Sequence, residues 1–223
     1  MVARASSGRR TLVIGDVHGC LDELRALVQH AGATADDDVV FVGDVVAKGP
    51  DSAGVIGWAR ERGAAAVLGN HDDHVLKARA GDHAAKKHHL AVAATLSQAD
   101  IDWLAALPLW LRLPYDEPHV VVHGGMVPGV PVEKQTREHL LAMRSITADG
   151  KPSKRIEGTP WAALWKGPEH AVFGHDAIRG LQQHPLATGL DTGCVYGREL
   201  TGLLLPEHKL VSVAARREYA PMK

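Results

Sequence analysis

The sequence predicts an α/β fold in which two mixed β-sheets pack together and helices flank them. Three observations predict it. Short apolar, β-branched runs recur along the chain, and each ends in a glycine beside a polar residue: TLVIGD (Thr11 to Asp16), VVFVGD (Val39 to Asp44), AAAVLGN (Ala64 to Asn70), VVVHGG (Val120 to Gly125) and AVFGH (Ala171 to His175). Such runs read as buried strands. Helical patterns lie between the first three, giving β-α-β-α-β, and the later part of the chain is richer in strands.

The elements follow in order. Leu21, Leu24, Leu27 and Val28 repeat at helical spacing and read as an amphipathic helix. Ser52 to Arg62 reads as a second, with Asp51 or Ser52 as its cap. Asp72 to about Leu96 is helix-prone, and Asp100 to Leu107 is a short helix stopped by Pro108. Pro131 to Pro160 is polar, contains DGKPSK, and reads as a long loop with one helix near Glu133 to Arg144. Long loops in compact domains are often functional, so this segment is a candidate to face substrate. Leu200 to Leu205 and Lys209 to Ala214 read as an antiparallel hairpin around a Pro-Glu-His turn.

The 223 residues suit one domain, expected over 11–223, behind a flexible tail at 1–10. Hydrophobic residues make up 45% and charged residues 23%, which is globular composition. Lys plus Arg total 25 against 26 for Asp plus Glu, which argues against a broadly basic nucleic-acid binder but leaves room for a local anion site. Two cysteines, Cys20 and Cys194, are too few for a disulfide-dense secreted domain or a thiolate zinc site. They read as small packing residues. The opening MVARASSGRR has no apolar run behind its charges, and no window approaches a membrane span, so the expected location is the cytoplasm. The 14 histidines direct attention to metal or acid–base chemistry.

Residues just past the C-terminal ends of parallel strands gather along one sheet edge. Those positions hold Asp16, His18, Asp44, Asn70, His71, His123 and His175. Oxygen and imidazole ligands together suit Mn, Fe, Zn, Co or Mg rather than soft copper. A single Gly-Asp is an ordinary strand-end turn; five such runs in order predict two metals with a bridging carboxylate.

GDVHG at 15–19, GDVVAKGP at 43–50, GNHD at 69–72, HGG at 123–125 and GH at 174–175 resemble the calcineurin-like metallophosphoesterases in residues and order. GNHDDHVL at 69–76, MR at 143–144 and LDTGCVYG at 190–197 narrow the resemblance to the symmetrical diadenosine tetraphosphatases (ApaH) and ApaH-like phosphatases, and VPGVP and MRSI are closer to the latter. The protein Ser/Thr phosphatases of the superfamily carry an Asp where this chain has Ala47, and an Arg where it has Lys48.

The resemblance implies roles for residues. Asp16 and His18 would bind a first divalent ion, Asp44 would bridge, and Asn70, His123 and His175 would bind a second. Manganese is the expected ion, with Co, Fe, Zn or Mg as alternatives. A hydroxide bridging the ions would attack phosphorus, His71 would act as general acid, and Lys48 and Arg144 would hold phosphate oxygens. The implied reaction is hydrolysis of a phosphoanhydride in a small nucleotide substrate, diadenosine tetraphosphate going to two ADP. The alternatives are a phosphoprotein, inorganic polyphosphate or capped RNA, the last being the one nucleic-acid partner expected.

Other residues admit two readings. Asp72 and Asp73 either cap the helix beginning there, the favoured reading, or replace the missing Asp as partner of His71. His74, His83, His88 and His89 with Lys86 and Lys87 read as a solvated helix face, or as a contact for distal phosphates. Trp103, Trp110, Trp161 and Trp165 pack in the core or stack on a base, with Trp161 and Trp165 the better pair for stacking. Lys151, Lys154 and Arg155 could bind anions. Asp191 could order the metal shell or make a tight turn.

Overall fold

Along the chain come β1 (Thr11–Ile14), α1 (Leu21–His30), β2 (Asp38–Phe41), α2 (Ser52–Arg62), β3 (Ala65–Ala66), α3 (Asn70–Arg79), α4 (Lys87–Thr95) and α5 (Gln98–Ala105). There follow β4 (Trp110–Leu113), β5 (His119–Val122), α6 (Arg137–Ala142), β6 (Ser145–Ile146), β7 (Pro152–Ser153), β8 (Thr159–Pro160) and α7 (Trp161–Leu164). The chain closes with β9 (His170–Phe173), β10 (Gln182–His184), β11 (Ala187–Gly189), β12 (Glu199–Leu205) and β13 (Lys209–Ala214). This computed structural model describes residues 9–82 and 84–222. Most of the tail expected at 1–10 therefore lies outside the described residues; Arg10 at its end donates to the Asp37 carboxylate at 2.8 and 3.1 Å.

Two sheets form the expected pair. One has the order β13-β12-β1-β2-β3, the other β10-β11-β9-β5-β4. β1, β2 and β3 run parallel, as do β5, β9 and β11, while β12–β13 is the predicted antiparallel hairpin. The period-2 alternation of strands sorts the core. Val13, Val40, Val121, Val172 and Leu203 point between the sheets. Leu12, Ile14 and Phe41 face outward onto α1 and α2, where Leu24, Leu27, Val55 and Ile56 cover them. Val120, Val122, Ala171 and Phe173 face the other side, under Leu140 and Trp161. Both faces of these short strands are thus buried, which is why they read as unbroken apolar runs rather than alternating ones.

Two expectations need correction. The helix-prone stretch after Asp72 is two helices, and the break follows α3, where Gly81 takes a left-handed φ of 91°. The segment 131–160 is not one long loop with a helix. After α6 it folds into a three-stranded sheet of order β7-β6-β8, whose two-residue strands are too short to show a period in sequence. Asp51 caps α2 by accepting from the Gly54 amide at 2.7 Å.

Candidate metal centre

Each predicted ligand stands within a few residues of a strand's end: Asp16 and His18 after β1, Asp44 after β2, Asn70 after β3, His123 after β5 and His175 after β9. Parallel strands put these ends on one edge of each sheet, and the face-to-face packing brings the two edges together. Hydrogen bonds tie the seam. The His175 amide donates to both Asp16 carboxylate oxygens at 3.2 and 3.1 Å, and His123 Nδ1 donates to the Val42 carbonyl at 2.9 Å. Gly43, with φ of 97°, makes the approach possible, because a Cβ there would lie 2.8 Å from the Gly69 amide nitrogen and from His123 Nδ1. This glycine makes room for the neighbouring ligand loops.

The site is strained. His18, Asp44, Ala47, Lys48 and His175 all have left-handed backbones, with φ between 48° and 73°. Such conformations cost a non-glycine residue roughly 1–2 kcal/mol, and they persist where the surrounding structure over-determines them, as at functional sites.

The donor set fits divalent cations. Asp44 is central: its Oδ2 lies 3.5 Å from His18 Nε2 and its Oδ1 lies 3.4 Å from His123 Nε2. Ligand atoms of Asp16, Asp44 and His123 lie within 4.8 Å of one another, as do those of His18, Asp44 and His71. Asp44 is thus shared by two groups, with Asp16 beside His123 and His71 beside His18. His18 Nδ1 donates to the Val46 carbonyl at 3.0 Å, which turns its Nε2 lone pair inward. His175 Nε2 donates to the Ala142 carbonyl at 3.1 Å, which leaves the lone pair on Nδ1. Positive charge already converges on these lone pairs. The Lys48 ammonium donates to His18 Nε2 at 3.0 Å. His123 Nε2 faces two oxygens, Asp44 Oδ1 and Asn70 Oδ1 at 2.9 Å, and a proton or a metal ion must lie between them.

Buried charge points the same way. Burial, with Asp191 and Asp44 nearby, pushes the Asp16 carboxyl well above its ordinary range. Burial and the Asp44 charge push Asp72 up to about 7, and burial raises Asp191 to about 6. Against burial, His123, His71 and His18 hold Asp44 well below the usual carboxylate range. Burial and Lys48 push His18 down to about 3, and burial with His123 and Arg144 pushes His175 well down. Burial keeps His18 and His175 neutral, while Asp44 raises His123 against burial, so the pocket gathers lone pairs and carboxylate charge that divalent ions would offset. Manganese at about 100 times its dissociation constant is therefore expected to stabilise the chelator-stripped protein by about 2.7 kcal/mol per ion, raising the melting midpoint by roughly 5–10 °C for each ion bound. A thermal scan with and without the ion checks this, and an unchanged midpoint contradicts it.

All nine predicted site residues meet at this edge. His18, Asp44, Asn70, His71, His175, Lys48 and Arg144 line one cleft of about 260 Å³, and the buried Asp16 and His123 have ligand atoms within 4.8 Å of that of Asp44. Arg144 is fixed by donating to the Lys154 and His175 carbonyls, both at 3.0 Å. Of the loop cations, Lys154 reaches the cleft lining, whereas Lys151 pairs with Asp149 at the surface. Asp191 lies buried in the wall, and its Oδ1 accepts from the Gly193 amide at 3.1 Å as in a turn.

Several side readings resolve. Asp72 caps α3 by accepting from the Gly69 amide at 2.9 Å, and it also accepts from the Val46 amide at 3.2 Å. Asp73 pairs with Lys77 and Arg137. Neither is the hydrogen-bond partner of His71. That partner is His89, whose Nε2 lies 2.9 Å from His71 Nδ1. The solvated-face reading holds for His74, Lys86 and Lys87, which are exposed, and is corrected for His89, which is only 2% exposed; the rings of His74, His88 and His89 cluster on His71. His83 lies outside the described residues. Burial drives the His71 imidazole far below its ordinary value against the pull of Asp44, and burial with His88 and His74 pushes His89 down to about 4. The proposed stacking pair, Trp161 and Trp165, is buried in the core. Tyr196, which the sequence reading quoted only inside LDTGCVYG, lines the cleft with Lys48 Nζ 5.2 Å from its ring centre. The two cysteines are buried and free. A hydrogen bond to Cys20, with burial, pushes the Cys194 thiol up, so it is a poor nucleophile.

Two facing sheets whose strand ends gather Asp, Asn and His side chains have the donor set of a divalent-metal phosphoesterase. Residues 9–210 match the calcineurin-like phosphoesterase family, and the chain belongs to it. Among curated relatives, the asymmetrical bis(5'-nucleosyl)-tetraphosphatase PrpE of Bacillus velezensis is 32% identical over 233 residues, covering 93% of each chain. The symmetrical bis(5'-nucleosyl)-tetraphosphatase of Aromatoleum aromaticum is 28% identical over 267 residues, covering 92% of this chain and 97% of its own. A crystal structure named as a candidate diadenosine tetraphosphatase superposes with a TM-score of 0.86 at 36% identity, covering 96% of this chain and 98% of that one. Among the described residues no helix is long and apolar enough to cross a membrane.

Proposed function

We propose that this protein hydrolyses a phosphoanhydride bond of dinucleoside polyphosphates, with two divalent cations held by Asp16, His18, Asp44, Asn70, His123 and His175. The observation that carries the reading is Asp44, whose two oxygens each face a different imidazole, His18 of its own sheet and His123 across the seam between the sheets. When bound, such ions supply charge to the phosphoryl oxygens and make water acidic enough to react at neutral pH.

The chain's own residues do the rest. Lys48 and Arg144 both line the cleft and bind the non-bridging phosphate oxygens. Lys48 acts as a point charge, and Arg144, already oriented by two carbonyls, presents a planar fork. His71, at the start of α3, donates its amide to Asp44 Oδ1 at 2.8 Å; its imidazole, which burial keeps neutral, gains proton affinity beside the substrate's negative charge and passes that proton to the departing phosphate. Ala47 suits this leaving group. An alkoxide demands a strong proton donor, whereas a terminal phosphate has a second pKa of about 6 and departs with little help. A carboxylate behind His71 is then dispensable, and His89 orients the ring without adding charge. At the mouth, exposed Ile178 and the Tyr196 ring offer apolar surface to a base.

Lys48→Ala is expected to lower kcat/KM by about 10–100-fold, the cost of one charge-assisted hydrogen bond, with a rise in KM. Steady-state kinetics on diadenosine tetraphosphate check this, and unchanged constants contradict it. The reading as a whole is tested by chromatographic product analysis on diadenosine tetraphosphate, capped RNA, polyphosphate, ATP and a phosphopeptide, in manganese and then in cobalt. Diadenosine tetraphosphate is expected to turn over fastest. ADP alone marks a symmetrical split, and ATP with AMP an asymmetrical one. Faster release of phosphate from the phosphopeptide would overturn the reading.

A further inference from the structure

At the far end of the same strands lies a second group of imidazoles. His119 opens β5 and His170 opens β9, and the parallel register sets the two side by side. His208 reaches them from the β12–β13 turn of the other sheet. Its exposed position comes with a left-handed φ of 51°. Along β5 the group is four residues from His123, about 13 Å at the rise of a strand, so it is separate from the cleft described above.

The three rings are arranged around a common point. Their centroids are 5.2 Å apart for His119 and His170, 4.9 Å for His119 and His208, and 5.3 Å for His170 and His208. One nitrogen from each lies within 4.8 Å of the others. Imidazoles bound to a tetrahedral ion at about 2.0–2.1 Å have ring centroids roughly 5 Å apart. The triangle therefore already has nearly the dimensions that a tetrahedral ion imposes.

His119 supplies an independent sign of a ligand. It is 1% exposed, and its Nδ1 donates to the Glu117 carbonyl at 2.7 Å. That bond leaves Nε2 with the lone pair. Nε2 is buried and has no hydrogen-bond partner among the described residues. Leaving a buried acceptor unsatisfied costs about 1–3 kcal/mol; an ion at the centre of the triangle would satisfy it. A hydrogen bond of 2.9 Å between His170 Nε2 and Thr188 Oγ1 orients the second ring, the kind of outer contact that holds metal-binding histidines in place. Beside the group opens a cavity of about 700 Å³ lined by Asp116 and Glu117, whose charges favour a cation and whose space leaves a fourth position for water.

We infer that His119, His170 and His208 bind one divalent transition-metal ion of the zinc type, which fastens the β12–β13 turn of one sheet to the second sheet. Three imidazoles select zinc, cobalt, nickel or copper over manganese and magnesium. The site is a fastening at the edge opposite the hydrolytic cleft, and it takes no part in the reaction there.

The test uses the full chain, stripped with a chelator, reloaded with zinc, freed of excess ion and measured by elemental analysis. His208→Asn is the main variant, because His208 is exposed and asparagine tolerates a left-handed backbone. The variant is expected to carry one zinc ion fewer per chain than the wild type and to lose part of the zinc-dependent rise in melting midpoint. Its manganese-supported hydrolysis is expected to equal the wild type's. His119→Gln should show the same loss of one ion where it folds. Equal zinc content in the wild type and His208→Asn overturns the assignment. The comparison is a difference, so it holds whatever number of ions the cleft itself retains.

Discussion

Asp44→Asn is expected to reduce manganese-dependent hydrolysis by on the order of 10³-fold or more, since the lost contribution of two clamped ions is several kcal/mol. The substitution keeps the shape of the side chain and can still accept the His71 amide, which now donates to Asp44 Oδ1. It removes the one charge shared between the His18 and His123 halves of the site, and it turns an amide donor toward an imidazole that must present a lone pair to metal. Steady-state rates, with circular dichroism as the control for folding, check the expectation. Near wild-type rates in the folded variant would show that Asp44 does not join two ions.

His71→Ala is expected to cost roughly 10²–10⁴ in rate, the usual range for a lost proton donor, with the position in that range set by the leaving group. The loss should be near the lower end on diadenosine tetraphosphate and near the upper end on aryl phosphates with poor leaving groups. The reason lies in the surroundings of His71. Its ring is held by a neutral imidazole, His89, where a carboxylate would have raised its proton affinity. His89→Gln should cost less than His71→Ala on both substrates, because glutamine can still hydrogen-bond the ring. Equal losses from His71→Ala on anhydride and aryl ester would contradict this account of Ala47.

What could be read in the sequence and what could not follow from different physics. The ligands were legible because each stands at the end of a short apolar strand, and the parallel order of β1, β2 and β3 and of β5 and β9 leaves those ends nowhere else to gather. The hairpin was legible from Leu200–Leu205 and Lys209–Ala214 for the same reason of pattern. His89 was not. A run such as KKHHL shows that imidazoles are present but not which side of α4 meets α3. That depends on the break at Gly81, which folds the two helices against each other. Tyr196 follows a cysteine-containing turn with no periodicity to orient it. Trp161 and Trp165 flank the polar loop in sequence but turn inward beneath β9, a tertiary outcome that adjacency to a loop does not reveal. His119, His170 and His208 are far apart in sequence, and only the register of β5 with β9 and the packing of the two sheets unite them.

The central claim is tested most directly by counting manganese ions bound at equilibrium to the stripped chain while its hydrolysis of diadenosine tetraphosphate is followed in the same titration. Manganese is the suitable probe because a three-imidazole site holds it weakly. The account predicts two ions per chain, activity that rises with their occupancy, and the loss of both binding and activity in Asp44→Asn. Full activity in the chelated protein, or a single ion sufficient for it, would contradict the account.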